Sequence, residues 1–255
     1  MLAAQRQNEI LRELARVGAV RISDLAANLK VSEMTVRRDL DVLAEQGLLE
    51  KVHGGAIPPL GKSSTVEPPF KANSLREEAA KETIAKLAAG LVQPGTAIAL
   101  MGGSTVFAMV KHIAEIPNLT VVTNSIPISN YLHEVGYPSQ NVILTGGQRT
   151  PTDSLVGELT IATFKRLNLD QAFVGAQGFS ASHGFSSPNL QEAETNRAVR
   201  EHTKEFVVLA DATKWGIEAF GSFAELHEAD TLITSPGLKE STLKSIKKQI
   251  RQVLR

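Results

Sequence analysis

Two adjacent arginines, Arg37 and Arg38, are the clearest candidates for binding chemistry in the first part of the sequence. Guanidinium groups bind phosphate or the edge of a guanine base, and the hydroxyl of the nearby Thr35 can contact a phosphate. The arginines fall near the start of a predicted helix, where cations are unfavourable to the helix dipole, so their position favours an anionic partner. The alternative is a solvated helix face on which they pair with Asp39 or Asp41.

A Gly-Gly-Ser-Thr sequence, formed by Gly102, Gly103, Ser104 and Thr105, is the strongest candidate in the rest of the chain. Glycines let the backbone approach a ligand closely, while the two hydroxyls and the free N–H groups of a following helix form an anion site. The sequence has neither the lysine of a Walker loop nor the spacing of a dinucleotide-binding loop. A tight turn capped by serine is the alternative.

Polar residues or glycines also follow four other short apolar runs. They are Asn124, the pair Gly146 and Gly147, the segment 175–178, and Asp211 with Lys214. A carboxylate can accept hydrogen bonds from sugar hydroxyls, and an ammonium group can bind phosphate. Because ligands of open parallel sheets bind outside the carboxyl ends of the strands, these residues are predicted to meet at one edge.

Several other chemistries find no support in the sequence. The absence of cysteine excludes disulfides, thiolate metal sites and cysteine nucleophiles. The six histidines lack metal-ligand spacing and no G-x-S-x-G motif is present, so no metal, cofactor or catalytic residue is predicted. His183 is interpreted as a surface residue rather than a pocket residue, and Trp215 as packing or a pocket wall.

The elements that must present the arginine pair are predicted within residues 1–57. Apolar residues at helical spacing predict a first helix ending at Gly18, a second capped by Ser23, and a third capped by Ser32 that runs to Gln46. The predicted buried face of the third helix consists of Val36, Leu40 and Leu43. This is a helix-turn-helix pattern.

The alternating residues 48–53, followed by Gly54 and Gly55, predict a β-hairpin after the third helix. A helix-turn-helix followed by a hairpin is a winged form, in which Lys51 and His53 could contact phosphates.

Beyond Leu75, six short apolar runs alternate with amphipathic stretches. The runs are Thr96–Leu100, Leu119–Thr123, Val142–Thr145, Ala172–Val174, Phe206–Ala210 and Thr231–Thr234. Such alternation predicts an α/β domain with a Rossmann-like parallel sheet and helices on both faces. The proline- and serine-rich residues 58–74 predict a linker, so the predicted domains are 1–57 and 75–255. Residues 239–255 are predicted to form a docked terminal helix, with membrane or DNA attachment as the alternative.

The segment Val31-Ser-Glu-Met-Thr-Val-Arg-Arg-Asp-Leu40, with Gly47 and Val52-His-Gly-Gly-Ala56 beyond it, closely resembles the DNA-binding domain of DeoR-type regulators of sugar metabolism. The resemblance implies that the third helix enters the major groove. It also implies a set of DNA contacts, which are Ser32, Thr35, Arg37 and Arg38, assisted by Lys51 and His53 of the wing.

The second half is similar to the DeoR-type effector domain, whose fold is related to ribose-5-phosphate isomerase. The resemblance implies that Gly102, Gly103, Ser104 and Thr105 hold the phosphate of a phosphorylated sugar. Asn124, Gly146 and Gly147 would lie near the ligand, with Asp211 and Lys214 at the rim. The implied function is a DNA-binding repressor of sugar-catabolism genes that its ligand releases from operator DNA.

Two alternatives remain. One is an enzyme similar to a sugar-phosphate isomerase, although the segment around Gln177 lacks the carboxylates that such an enzyme would use as a base. The other is a ligand-independent DNA-binding repressor, because Met101 and Asn196 replace residues common in the family.

The composition bounds these interpretations. The chain has 255 residues, of which 42% are hydrophobic, so a disordered protein is excluded. Neither a secretory start nor an apolar run of membrane-spanning length is present, which predicts a cytoplasmic protein. The 27 basic and 27 acidic residues cancel, so modest nonspecific DNA affinity is expected. Tight binding would then depend on base contacts and on a homodimer or homotetramer.

Overall fold

The structure of the protein is a computed structural model that describes residues 2–17, 20–57 and 77–255. Contacts divide the chain into two compact units, Met1–Glu78 and Ala79–Arg255. The predicted linker over residues 58–74 lies outside the described residues. Within the described parts of the chain, no helix has the length and apolar character needed to cross a membrane.

The first unit contains three helices and a small antiparallel sheet. The helices are α1 (Ala3–Val17), α2 (Ile22–Leu29) and α3 (Glu33–Glu45), and the strands are β1 (Val20–Arg21), β2 (Glu50–Val52) and β3 (Gly55–Ile57). The sheet order is β1-β3-β2, so the predicted hairpin of β2 and β3 gains a third strand from the chain before α2. All three helices contribute to one apolar core with the hairpin.

The local predictions for α3 are confirmed. Ser32 caps the helix by accepting a hydrogen bond from the Thr35 N–H, and Val36, Leu40 and Leu43 are buried. The predicted cap of α2 is wrong, because the helix begins at Ile22 rather than after Ser23. The physical reason is that Arg21 is still paired with Gly55 in the sheet, so the chain passes directly from strand to helix.

The second unit is built on a seven-stranded parallel sheet. Its strands are β4 (Ala97–Leu100), β5 (Thr120–Thr123), β6 (Asn141–Leu144), β9 (Leu169–Gly175), β12 (Thr203–Leu209), β14 (Thr231–Ile233) and β15 (Gln252–Leu254). Their spatial order is β15-β14-β12-β9-β4-β5-β6. The six predicted strands are confirmed, and β15 is an addition within the predicted terminal helix.

Helices cover both faces of this sheet, as predicted. One face packs against α4 (Glu78–Ala89), α5 (Ser104–Ile113) and α6 (Ile126–Val135), and the other against α7 (Glu158–Phe164), α8 (Leu190–Glu201) and α9 (Glu240–Ile246). Neighbouring residues of each strand point to opposite faces of the sheet. Phe173 therefore packs in the core beneath α4, α5 and α6, and Val174 packs in the core beneath α7, α8 and α9.

Two smaller pieces extend from the edge of the sheet where its strands end. A hairpin joins β7 (Gln148–Arg149) to β8 (Leu155–Val156). A three-stranded antiparallel sheet joins β10 (Gly178–Ser180), β11 (Gly184–Ser187) and β13 (Gly221–Ala224). Both pieces follow strands of the parallel sheet, so they add walls at the edge predicted to bind ligand.

Candidate functional site

The first candidate surface is the exposed side of α3 together with the tip of the β2–β3 hairpin. Ser32, Arg37, Arg38, Lys51 and His53 are exposed, and Thr35 is half-buried. The Ser32 and Thr35 hydroxyls lie 2.9 Å apart, so the start of the helix is fixed before any partner binds. The structure therefore brings the sequence-predicted DNA contacts to the surface.

The ion pairs on this surface differ from those of the sequence-based alternative, in which the two arginines would pair with Asp39 or Asp41. Arg37 is 3.7 Å from Glu33, one turn earlier in α3, and the Lys51 ammonium of the hairpin pairs with Asp41. For Arg38, no ion-pair partner exists within residues 2–17, 20–57 and 77–255. An exposed guanidinium without an internal partner is available to an external anion.

Asp39 faces inward and holds α3 against α1. It is 4% exposed, and it accepts hydrogen bonds from the Arg6 guanidinium and, at 3.1 Å, from the Gln7 amide. The hydrogen bond that Arg6 donates to Asp39 raises the pKa of Arg6 above its ordinary value. The interpretation that Asp39 pairs with the surface arginines is thus wrong. Sequence reasoning missed this contact because the partners are 33 residues apart.

The second candidate site lies where the strand order of the parallel sheet reverses. From β4 the chain proceeds outward to β5 and β6, and it then returns to the other side of β4 to form β9. The loops after β4 and β9 consequently diverge and leave a crevice between their strand ends, which is where open α/β sheets bind ligands. Gly102–Thr105 borders this β4/β9 crevice on one side and Gln177 on the other.

The Gly102–Thr105 segment has the geometry of an anion site. Gly103 has a φ of 142° and, having no side chain, leaves the start of α5 without a side-chain cap. The first intrahelical bond runs from the Phe107 N–H to the Gly103 carbonyl, so the N–H groups of the first turn precede it. The hydroxyls of Ser104 and Thr105 are half-buried and have no hydrogen-bond partner in the described part of the chain.

Asn124 holds this segment in place. Its side-chain oxygen accepts from the Gly102 N–H at 2.8 Å, and its amide donates to the Leu155 carbonyl at 2.9 Å. The residue is 3% exposed. Gly102 is required on packing grounds, because a Cβ at this position would collide with the Ser154 hydroxyl. The β7–β8 hairpin is thus packed directly onto the candidate anion site.

Gly146 and Gly147 follow β6 and connect it to that hairpin. The Gly146 carbonyl accepts from the Thr160 hydroxyl at 2.5 Å. Gly147 has a φ of 140°, and a side chain there would collide with Thr160 and with the backbone of Val156. The described contacts of these two glycines are therefore structural, and they set the position of the hairpin.

Asp211 and Lys214 follow β12. Asp211 is 2% exposed and accepts a hydrogen bond from the Thr213 N–H at 3.0 Å, which caps a short 3-10 turn at Ala212–Lys214. The Lys214 ammonium donates to the Gln177 side chain at 3.0 Å. Lys214 is thereby brought to the β4/β9 crevice, whereas Asp211 is held inside the turn.

The remaining residues with candidate chemistry lie elsewhere. His183 is exposed and 2.9 Å from Glu218, whose pKa is lowered chiefly by hydrogen bonds from Ser182 and His183. Trp215 makes a T-shaped ring contact with Phe179. Within residues 2–17, 20–57 and 77–255, no cluster of histidine, aspartate and glutamate residues could hold a metal ion.

Sequence reasoning missed a hydrogen-bonded group formed by Thr152, Ser187 and Glu192. The run Thr150-Pro-Thr-Asp-Ser154 carried a signal, since four of its five side chains can form hydrogen bonds. The partner of Thr152, Glu192 on α8, lies 40 residues further along the chain, so its identity could not be read from the run.

Comparisons with known proteins identify the two domains that carry these candidate sites. A family model described as the DeoR-like helix-turn-helix domain matches residues 6–59. A second model, described as the DeoR C terminal sensor domain, matches residues 76–236. A helix-turn-helix domain implies DNA binding, and a sensor domain indicates a small-molecule effector.

Relatives match along nearly the whole chain. The HTH-type transcriptional regulator YgbI of Escherichia coli is 36% identical over 98% of this chain and 96% of its own. The regulator GolR of Listeria innocua is 34% identical over 96% and 95%. A lactose phosphotransferase system repressor of Staphylococcus epidermidis is 34% identical over 90% of each chain.

Among solved structures, ribose 5-phosphate isomerase from Methanocaldococcus jannaschii is 19% identical over 54% of each chain, with a TM-score of 0.39. The family models and the related sequences are those of transcriptional regulators rather than enzymes. With both family models matched in order along one chain, this protein belongs to the DeoR family of transcriptional regulators.

Proposed function

We propose that this regulator is a cytoplasmic repressor of sugar-catabolism genes that a phosphorylated sugar releases from operator DNA. The uncapped start of α5 carries the proposal, because its N–H groups and the unpartnered Ser104 and Thr105 hydroxyls border the β4/β9 crevice. A phosphate monoester is the anion that such a helix terminus binds well. The relative named as a lactose phosphotransferase system repressor supports the link to sugar metabolism.

In this proposal residues 1–57 bind DNA and residues 75–255 bind the effector. The start of α3 enters the major groove, where Arg37 and Arg38 contact bases or phosphates, and Lys51 and His53 contact the backbone. Ser32 and Thr35 contribute their hydroxyls. Because one winged unit makes few contacts, the operator is bound by a homodimer or homotetramer on repeated half-sites.

The effector contacts divide into two groups. Gly102, Gly103, Ser104 and Thr105 bind the phosphate with help from Lys214. Asn124, Gly146, Gly147 and Asp211 shape the site by holding the loops. Release from DNA requires that the effector bind one arrangement of the oligomer more tightly than the other, since equal affinities shift no equilibrium.

The test combines ligand binding with DNA release. Sugar phosphates are screened by thermal shift, since a compound that binds the native state raises its melting temperature. The protein is next used to select the DNA fragments that it binds from a random pool. Binding to these fragments is followed by fluorescence anisotropy, and the sugar phosphate that stabilises the protein is expected to dissociate the complex. A protein that binds selected DNA but is stabilised by no sugar phosphate would contradict the proposal.

Substitutions at the crevice test whether the sugar phosphate that releases DNA binds there. Ser104→Ala and Lys214→Met are expected to bind DNA as the wild type does but to need about tenfold more sugar phosphate for release, since a charged hydrogen bond contributes about 1.5–3 kcal/mol. Ser241→Ala, an exposed serine in the first turn of α9, is the matched control. Full release of both crevice variants at the wild-type concentration would place the effector elsewhere.

A further inference from the structure

A polar network links two of the pieces beside the β4/β9 crevice and is centred on the half-buried Glu192 in the first turn of α8. One carboxylate oxygen accepts from the Thr152 hydroxyl at 2.9 Å, and the other accepts from the Ser187 hydroxyl at 3.2 Å. One partner belongs to the β7–β8 hairpin and the other to β11, the two pieces that wall the ends of the parallel strands. The carboxylate therefore links one wall to the other.

The first wall is the β7–β8 hairpin. The Thr152 hydroxyl lies 2.8 Å from that of Thr150, which in turn accepts from the Ser154 N–H at 3.3 Å. Ser154 packs against Gly102 so closely that a side chain at Gly102 would collide with it. A continuous set of contacts thus connects Glu192 to the candidate phosphate loop.

The second wall is the segment after β9. The Gln177 N–H donates to the Ser186 carbonyl at 3.1 Å, and Ser187 is the next residue in β11. Gln177 also receives the hydrogen bond from Lys214. The Glu192 carboxylate consequently joins the hairpin that packs on Gly102 to the segment that positions Gln177 and Lys214.

Asn196 adds an independent observation. It lies four residues after Glu192, so the two side chains share one face of α8. Asn196 is only 8% exposed, and no described residue forms a hydrogen bond with its side-chain amide. The amide atoms are not sealed from solvent, so both the donor and the acceptor of this largely buried side chain are available to a ligand.

We propose that Glu192 and Asn196 form the subsite that binds the hydroxyl groups of the effector. This inference rests on the proposed function, in which the phosphate binds at Gly102–Thr105. A carboxylate oxygen accepts two hydrogen bonds, so Glu192 can accept from ligand hydroxyls while it keeps Thr152 and Ser187. The Asn196 amide both donates and accepts, as vicinal hydroxyls require. The effector class is a phosphate ester of a polyhydroxylated carbon chain.

The experiment compares inorganic phosphate with a panel of pentose, hexose and alditol phosphates by isothermal titration of the full chain. At least one member of the panel is expected to bind the wild type tenfold or more tightly than inorganic phosphate. Asn196→Ala and Glu192→Gln are each expected to reduce that advantage about tenfold while leaving the dissociation constant of inorganic phosphate unchanged. Glu194→Gln, an exposed position on the same helix, is the matched control.

A deoxy analogue of the best panel member separates recognition from folding. If Asn196 contacts the missing hydroxyl, the analogue binds the wild type more weakly but binds Asn196→Ala as well as the parent compound does. Unchanged advantages in both variants, or equal losses for inorganic phosphate and sugar phosphate, would overturn the subsite and leave the phosphate site standing. Failure of the wild type to bind inorganic phosphate or any panel member would overturn both.

Discussion

The two units present their candidate residues in opposite ways. On the winged unit, Arg37, Arg38 and Lys51 are exposed, and Arg37 and Lys51 pair with carboxylates on the same surface. In the sensor unit, Asn124 and Asp211 are almost fully buried and their described hydrogen bonds are internal. Side chains that bind a large polyanion can thus be exposed and contribute little to folding. Side chains that shape a small-ligand crevice are buried, and their hydrogen bonds also hold the fold together.

Basic and acidic side chains are paired on the exposed surface of the winged unit. Residues 1–57 contain eight basic and eight acidic residues. Two of the acidic residues, Glu33 and Asp41, lie beside Arg37 and Lys51, which are expected to bind DNA. Exposed pairs of this kind contribute little to stability, so a phosphate can replace the carboxylate at low cost.

The largest effect is expected from Arg37→Ala combined with Arg38→Ala. Each good base contact is worth about 1–3 kcal/mol, so affinity for selected DNA should fall about 100-fold or more. The melting temperature should stay near that of the wild type because both side chains are exposed. Fluorescence anisotropy checks the affinity, with Arg12→Ala as the control, whose exposed side chain pairs with Glu9 on α1. Wild-type affinity of the double variant would refute the assignment of α3.

The next largest effect is a loss of stability, expected when a buried hydrogen-bonding side chain of the sensor site is removed. Asn124→Ala leaves the Gly102 N–H and the Leu155 carbonyl without their partner, and each unmet buried group costs about 1–3 kcal/mol. The free energy of unfolding should therefore fall by about 2–4 kcal/mol, measured in urea through the fluorescence of Trp215, the single tryptophan. Asn141→Ala, an exposed position on β6, should change it little. Equal losses in the two variants would remove the contrast between the units.

A smaller effect is expected from Asp41→Asn on the winged unit. The substitution frees Lys51 from its carboxylate partner, so affinity for nonspecific DNA should rise about two- to fivefold at low salt, with a steeper dependence on salt. Asp24→Asn removes the same charge from an exposed position on α2 and controls for net charge. If both variants gain equally, the Lys51–Asp41 pair has no specific influence on DNA binding.

The smallest effect concerns the pH dependence of the sensor unit. The hydrogen bond from Lys204, followed by that from the Ala97 N–H, lowers the pKa of Asp170 below its ordinary 3.8. A lowered folded-state pKa stabilises the fold above the ordinary value, and this contribution is lost as pH falls through the folded-state pKa. Between pH 5 and 2, unfolding followed by Trp215 fluorescence should therefore show a shallower decline for Asp170→Asn. Identical slopes would show that Asp170 does not couple protonation to folding.

Local features of the winged unit were predictable from the sequence. The cap at Ser32 and the buried face of α3 depend on residues three or four apart. Such contacts follow directly from the periodicity of a helix and can be predicted from the sequence. The start of α2 was not predictable in this way. It depends on the pairing of Arg21 with Gly55, which joins residues more than thirty positions apart.

The same distinction holds in the sensor unit. Short apolar runs predicted six strands because buried parallel strands are apolar on both faces. The seventh, β15, was hidden in residues 239–255, where Leu243, Ile246, Ile250 and Val253 share a helical spacing. The helix ends at Ile246, and Val253 pairs in register with Leu232 of β14. Residues 252–254 form a strand because they pair with β14, which would otherwise be the edge strand of the sheet. The presence of that edge cannot be read from the local sequence pattern.

By itself the sequence determined the family, the two kinds of domain and the residues at the strand ends, because these follow from motifs and from short-range periodicity. Only the tertiary structure decided that β9 lies beside β4 and thereby opens the crevice. It also decided that Glu192 contacts Thr152 and that Asp41 pairs with Lys51. These partners lie 40 and 10 residues apart, and they are selected by how helices and strands pack rather than by the residues that flank them.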